Sequence, residues 1–279
     1  MKIRGKKHRK KTSSDSVVRA NSKLLLTDDT PFGIKEAYVK LRTNLMFCMT
    51  ADGSRQCKVF GITSAKPSEG KSLTAANIAI SCAMLGKKTL LVDADLRKPT
   101  QKRLWEISEK AGLCDFLARI QPMNTTKVSE LPLRIICTGT IPPNPSELLS
   151  SDTMTSFISF CMKTFDYVII DTPPINTVAD AQIISSFVDG MILVAKSGNT
   201  DQEELAAAAN AIEVAGGNLC GVVLNSINAK TAKSSYRYNY KYGYKYGYKY
   251  GNKYGNKYGY KYSYSSKNDA KQDSYRPEN

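Results

Sequence analysis

The amino-acid sequence predicts an α/β fold built on a doubly wound, mainly parallel sheet. Three observations lead there. Short, continuously apolar runs such as 59–62, 89–92 and 167–170 alternate with longer stretches of helical periodicity, the pattern of parallel strands covered by helices on both faces. Several runs end abruptly in acid or in Ser, Pro and Gly, and ligands in such folds sit at those carboxyl ends. The chain has 279 residues with 42% apolar content, which suits one domain of roughly 200 residues with appendages. No window offers the ~20 consecutive apolar residues of a membrane span, and the basic start lacks the apolar stretch of a secretory signal.

The elements follow in order. Residues 1–30 are polar and basic, with a Ser13-Ser14-Asp15-Ser16 run, and are expected to form a flexible leader. Within them Leu24-Leu25-Leu26 is either a small docking strand or an anchor. From Pro31 a helix is expected, with Ala37, Leu41, Leu45 and Phe47 on one face, Glu36 early and Arg42 on a more polar side; periodicity alone makes it a packing helix. Lys58–Thr63 is the first strand, and Lys71–Leu85 is the next helix, closed by Gly86. Further strands are Thr89–Val92, Leu133–Cys137, Tyr167–Ile170, Met191–Ala195 and Gly221–Leu224. Helices at Thr153–Thr164, Ala181–Phe187 and Glu203–Ala215 fill the intervals. Pro142-Pro143-Asn144-Pro145 before Ser146-Glu147-Leu148-Leu149 reads as a rigid, shaped loop and not as an element.

The chemistry begins at Val59–Ser72, VFGITSAKPSEGKS. An apolar strand gives way to a Ser/Pro/Gly loop, and Gly70-Lys71-Ser72 opens a helix, which is the context a phosphate-binding loop requires. Backbone N–H groups at a helix N-terminus bind phosphate oxygens and are helped by the helix dipole. Lys71 would reach the β- and γ-phosphates, and the Ser72 hydroxyl would ligate Mg²⁺. The strict G-x-x-x-x-G-K-[ST] pattern fails at its first glycine, where Ala65 stands. Two acidic motifs support the loop. The second strand runs into Val92-Asp93-Ala94-Asp95-Leu96-Arg97, whose two acids share one side of extended backbone. They face the phosphate loop if the second strand lies beside the first. The fourth strand closes as Val168-Ile169-Ile170-Asp171-Thr172-Pro173-Pro174, placing an acid where it can hold Mg²⁺ opposite the serine.

Together SAKPSEGKS, LLVDADLRKP and VIIDTPP resemble the motifs of the bacterial tyrosine kinases, P-loop proteins of MinD/ParA-like fold tied to capsule and exopolysaccharide synthesis. The resemblance covers about residues 31–228. The acid-x-acid-x-Arg motif at Asp93, Asp95 and Arg97 is its most discriminating part. IPPNPSELL and the helix with Glu36 and Arg42-Thr43-Asn44 add to it. The resemblance implies a set of catalytic residues at Lys71, Asp93, Asp95, Arg97 and Asp171. It implies an ATP-binding segment at Ser64, Ala65, Lys66, Pro67, Ser68, Glu69, Gly70, Lys71 and Ser72, with Asn225 where relatives contact the adenine. Ser72, Asp93 and Asp171 would be the Mg²⁺ ligands, and Asp93 and Asp95 would also activate the tyrosine hydroxyl. Three departures stand out. Ser68 replaces a common glycine, so the loop must avoid a backbone angle that only glycine tolerates. Val39 replaces the middle arginine of a Glu-x-x-Arg-x-x-Arg oligomerisation motif, which puts ring assembly of a homo-oligomer in doubt. Lys66 falls at the signature lysine of the MinD/ParA-type ATPases.

Charge and cysteine usage complete the picture. The net charge is +15, yet residues 1–11 carry +7 and residues 230–279 carry +9, leaving the middle near neutral. Basic ends on a neutral globule suit an acidic partner, whether membrane surface, nucleic acid or protein, or they are merely solubilising. Seven scattered cysteines with no C-x-x-C pair are the usage of a reduced cytosolic protein. From Tyr236 to Tyr264 the chain repeats Tyr-Lys-Tyr-Gly, and 14 of its 16 tyrosines lie at or beyond Tyr236. With no aliphatic side chain this segment is expected to be disordered, so three regions are expected: leader 1–30, kinase domain 31–228 and tail 229–279. Interleaved aromatics and lysines suit single-stranded nucleic acid. A kinase carrying the tail makes its tyrosines the better-founded phosphate acceptors: Tyr236, Tyr238, Tyr240, Tyr242, Tyr244, Tyr246, Tyr248, Tyr250, Tyr254, Tyr258, Tyr260, Tyr262 and Tyr264. Nucleic acid is then not expected as a partner. The resemblance further implies a separate transmembrane adaptor of the polysaccharide co-polymerase type, a cognate phosphotyrosine phosphatase, and a cytoplasmic chain recruited to the inner membrane face. The competing reading is a MinD/ParA-type regulatory ATPase that uses its basic ends on membrane or nucleic acid.

Overall fold

The computed structural model describes residues 23–48, 58–128 and 130–227. Seven strands form one sheet in the order β3-β4-β2-β5-β1-β6-β7. In chain order the elements are α1 (Phe32–Phe47), β1 (Lys58–Ser64), α2 (Lys71–Ala83), β2 (Thr89–Asp93), α3 (Gln101–Leu104), α4 (Leu113–Leu117), β3 (Thr126–Lys127), β4 (Leu133–Ile136), α5 (Pro145–Leu149), α6 (Asp152–Thr164), β5 (Tyr167–Asp171), α7 (Asp180–Ser185), β6 (Gly190–Lys196), α8 (Gln202–Val214) and β7 (Leu219–Asn225). Every pairing is parallel except β3 with β4. The sheet is thus the mainly parallel, doubly wound one that the sequence predicts, with a two-residue antiparallel edge at β3 too short for periodicity to reveal. The basic start and the tyrosine repeat lie outside the described residues, as does Cys57.

The apolar runs split residue by residue between two layers, because successive strand side chains point to opposite faces. Phe60, Ile62, Leu91, Ile169 and Ile192 pack with Ile78 and Ala79 of α2 and Leu45 of α1. Val59, Leu90, Val92, Val168 and Ile170 pack with Leu117, Phe157, Ile158 and Ile184 on the other side. Each fully buried Leu, Ile or Phe contributes about 1.5–3 kcal/mol of hydrophobic stabilisation. Continuous apolar strands are therefore required here, since an alternating strand would bury polar groups against one helical layer.

Helix ends follow local chemistry. The α6 start is fixed by Ser151, whose hydroxyl accepts from Met154 N at 3.2 Å, as a side-chain N-cap does. Asp201 and Glu204 form the reciprocal box at the start of α8. Gly86, with φ +74°, closes the turn after α2, which ends at Ala83, two residues before the expected Leu85. The segment expected to be only a shaped loop is partly helical: Pro145 sits at the first position of α5. There its missing N–H is no loss and its fixed φ suits the helix.

At the N-terminal side one of two readings is selected and one expectation changes. Leu26 is buried, and its N–H donates to Asn77 Oδ1 at 2.9 Å while Asn77 Nδ2 donates to Leu24 O at 3.1 Å. The run is therefore docked on α2 as one of the two readings has it, though not as a strand, with Leu26 buried and Leu24 itself exposed. Arg42 is not on a polar face. It is buried, and its Nη1 donates to Ser81 O at 2.6 Å and to Ser81 Oγ at 3.1 Å. A long aliphatic stem lets an arginine cross an apolar interface to reach a buried carbonyl in the last turn of a neighbouring helix.

Candidate active site

Strand order decides how the motifs meet. β5 lies between β1 and β2, so the second strand is not beside the first. Asp171 pairs in register with Ile62 on one side and with Asp93 on the other. Asp171 therefore stands between the loop that follows β1 and the Asp93 motif, and all three reach one edge of the sheet.

The loop itself is held from several sides. Ser64 Oγ donates to Lys66 O at 2.7 Å, and Ala65 is buried against Ile175 and its neighbours. Pro67 and Ser68 are exposed. Glu69 is buried; its Oε2 accepts from Lys66 N at 2.9 Å, and its Oε1 accepts from the Thr200 hydroxyl. Asn225, at the end of β7, donates to Glu69 O at 3.0 Å. Gly70 has φ +92°, a backbone angle that strains any residue bearing Cβ, and a Cβ there would lie 2.0 Å from Asn225 Nδ2 and displace that amide. Ser68 corrects one expectation: its φ is +67°. The loop does enter the left-handed region, at a cost of roughly 1–2 kcal/mol for a residue bearing Cβ.

At the mouth of α2, Lys71 Nζ donates to Asp95 Oδ2 at 2.9 Å and to Ser72 Oγ at 3.3 Å, and lies 3.5 Å from Asp171 Oδ1. Burial draws its protonation equilibrium down, but Asp171 and Asp95 outweigh that and hold it above the usual lysine range. The ammonium therefore stays charged. Asp93 Oδ2 accepts from Thr100 N at 3.1 Å and Gln101 N at 2.9 Å. Asp171 Oδ2 accepts from Gln101 Nε2 at 2.8 Å. Burial, followed by the charge of Asp171, pushes Asp93 up to about 8, and burial also raises Asp171. Two carboxylates this close and this dry resist ionising together.

These residues fit a bound Mg²⁺. Asp93 Oδ1 and Asp171 Oδ1 are buried and accept no hydrogen bond among the described residues; the Lys71 ammonium stands 3.5 Å from the latter, and the Ser72 hydroxyl lies beside Asp171. Hard oxygen donors from one or two carboxylates, completed by phosphate and water, are what Mg²⁺ takes.

Two candidates are placed elsewhere. Arg97 turns from the phosphate loop: Nε donates to Asp180 Oδ2 at 2.8 Å and Nη2 to Asp180 Oδ1 at 3.0 Å and Ser146 Oγ at 3.1 Å. The Asp180 interaction raises the guanidinium above its ordinary value. Lys66 reaches α8, pairing with Glu204 at 2.5 Å and Asp201 at 3.5 Å. Gln101, Asp180 and Thr200 are contributors that motif reasoning missed. Gln101 lies eight positions past Asp93 in a segment without periodicity. Asp180 carried only the weak signal of an acid opening a helix.

Comparison with known proteins settles the family. The ParA family, described as NUBPL iron-transfer P-loop NTPase, matches residues 56–274. Tyrosine-protein kinase YwqD of Bacillus subtilis is 44% identical over 192 residues, covering 68% of this chain and 80% of that protein. The chain belongs to the bacterial tyrosine-protein kinases. Solved kinase structures agree. The chimerical protein CapA2B2 is 35% identical with a TM-score of 0.67, covering 78% of this chain and 92% of that one. The kinase domain of Escherichia coli tyrosine kinase ETK is 30% identical with a TM-score of 0.66, covering 82% and 80%. This bacterial tyrosine kinase is thus a protein-tyrosine kinase on a P-loop NTPase fold.

Proposed function

We propose that this kinase uses Mg²⁺–ATP to phosphorylate the tyrosines of its own C-terminal repeat, and thereby regulates polymerisation and export of a capsular or extracellular polysaccharide. The observation that carries the reading is the meeting of Lys71, Ser72, Asp93, Asp95 and Asp171 at one sheet edge, in a chain with 14 tyrosines at or beyond Tyr236. The proposed division is a kinase domain over 31–228 and an acceptor tail over 229–279. A tail of about fifty residues reaches far past its own domain at up to ~3.5 Å per residue. Transfer to a neighbouring copy is geometrically easy, and transfer within one chain is open to it as well.

In this reading Lys71 leaves Asp95 for the β- and γ-phosphates, and the backbone of 64–72 lines the rest of the triphosphate. Ser72, Asp93 and Asp171 hold the Mg²⁺, which when bound neutralises charge on the phosphates. Asp95, released from Lys71, is available to accept the tyrosine proton, while Asp93 is committed to the cation and to the Thr100 and Gln101 N–H groups. Asn225 closes the nucleotide side. Arg97 acts at one remove: it ties the loop carrying Asp95 to α5 and α7. Each phosphate adds close to two negative charges, so about six would cancel the +9 of the tail.

The proposed partners are a transmembrane adaptor that brings the kinase to the inner face of the membrane, a phosphotyrosine phosphatase that resets it, and further copies of the chain. No helix among the described residues is long and apolar enough to cross a membrane. The MinD/ParA-type regulatory reading rests on Lys66, and the Glu204 and Asp201 carboxylates of its own chain compete for that ammonium. The test is mass spectrometry of tail phosphotyrosine in cells that carry the adaptor, comparing wild type with Lys71→Met. Phosphotyrosine is expected in the wild type and absent in the variant. An unmodified wild-type tail would falsify the proposal.

A further inference from the structure

Gln101 is the first residue of α3, and its side chain is fully buried. Its amide touches three separate parts of the site. Trp105 Nε1 lies 3.1 Å from Gln101 Oε1, and an indole N–H can only donate, so the oxygen must face the tryptophan. That settles which way the amide points, and it leaves Nε2 toward Asp171 Oδ2 at 2.8 Å and Ser72 O at 3.0 Å. Both of those atoms are acceptors, so every bond the amide makes is chemically matched. The Gln101 backbone N–H donates to Asp93 Oδ2 at 2.9 Å.

The consequence lies in which oxygens are taken. Gln101 occupies Oδ2 of Asp93 with its backbone and Oδ2 of Asp171 with its side chain. The two Oδ1 atoms are buried and accept no hydrogen bond among the described residues, and the one on Asp171 faces the Lys71 ammonium at 3.5 Å. Gln101, helped at Asp93 by the Thr100 N–H, thereby sorts each acid into a held oxygen and one that accepts no hydrogen bond, and pins the Ser72 backbone to the same group. We propose that Gln101 is a positioning residue for the divalent cation: it holds Asp93, Asp171 and the start of α2 in register so that the two Oδ1 atoms and the Ser72 hydroxyl form one oxygen site. This rests on the cation-binding reading given above. Outer groups that hold metal ligands commonly change metal affinity by about 10–100-fold when removed.

The test measures nucleotide affinity of the full chain by calorimetry with ADP, once in EDTA and once across a Mg²⁺ titration. Gln101→Met keeps length and apolar bulk but removes the amide. Expected is a Mg²⁺ concentration for half-maximal enhancement raised about 10-fold or more, a larger change than any in the ADP affinity measured in EDTA. A general structural role would instead weaken ADP binding to the same extent in both conditions. Gln101→Asn, one methylene short, carries the same test should the methionine variant fail to fold. An Asp171→Asn chain separates the two ideas. If wild type itself shows no Mg²⁺ enhancement, or Asp171→Asn keeps it, the cation site is misplaced. If wild type shows it, Asp171→Asn loses it and both Gln101 variants match wild type, the positioning role is overturned. The sole tryptophan, Trp105, gives an internal check. Its emission should differ between wild type and Gln101→Met, because the indole N–H loses its acceptor, and identical spectra would count against the pairing.

Discussion

Replacing Arg97 by methionine separates a structural from a chemical role for the most distinctive residue of the Asp93 motif. Asp180 is fully buried, and it accepts two charged hydrogen bonds from Arg97 and one at 2.7 Å from Ser146 Oγ. Stripping one partner from a buried ion pair costs about 3–5 kcal/mol. The Arg97 side chain is 40% exposed, so solvent screening lowers that figure, and Ser146 still serves Asp180. The expected loss is about 2–3 kcal/mol, read as a lower urea midpoint and a melting temperature down by roughly 5–10 °C. Asp180→Asn should cost less, about 1 kcal/mol, because the freed guanidinium rehydrates and the amide oxygen still accepts. The double variant should be less damaged than the sum, with a coupling of at least ~1 kcal/mol. ATP affinity should stay near wild type wherever the variant is folded. The reasoning is refuted if Arg97→Met keeps wild-type stability while tyrosine phosphorylation collapses, since Arg97 would then act on the transferring phosphate.

Other expectations follow from single positions. Ser68→Gly should stabilise the chain by about 0.5–1 kcal/mol in urea, because it relieves a left-handed backbone at some entropic cost. Gly70→Ala should weaken ATP binding at least ~10-fold in calorimetry, since strain at φ +92° and the clash with Asn225 both distort the loop. Asp115 gives a pH test. Its Oδ2 accepts from Gly112 N at 2.8 Å and Thr140 N at 3.1 Å. Burial pushes this carboxyl up, but the Thr140 and Gly112 bonds outweigh it and hold it below its ordinary value. A depressed acid stabilises the fold above its unfolded pKa of ~3.9 and loses that contribution as pH falls through the lower folded value. Wild type should therefore exceed Asp115→Asn by a constant ~1–2 kcal/mol from pH 7 to about 5. The gap should close below about pH 4 in denaturation measured across that range.

The sequence by itself determined the sheet class, the phosphate loop and the acids. Continuous apolar strands have to be covered on both faces, and Gly70-Lys71-Ser72 at a helix start reads as a phosphate loop once the acids at 93, 95 and 171 are set beside it. Those signals are local, carried by neighbours in the chain. What local pattern could not supply was the order of strands. Only the fold places β5 between β1 and β2, which makes Asp171 the neighbour of Asp93 and leaves Lys71 able to reach Asp95. Gln101, Arg97 and Asp180 illustrate the same limit. Gln101 and Asp171 are 70 positions apart and Arg97 and Asp180 are 83 apart, and no periodicity spans such distances. Arg42 looked polar by position because helix phase says which side a residue occupies, not what its long side chain crosses to reach. Tertiary packing decided those partners, since a buried charge or amide must find whichever complementary group the fold brings within hydrogen-bond reach.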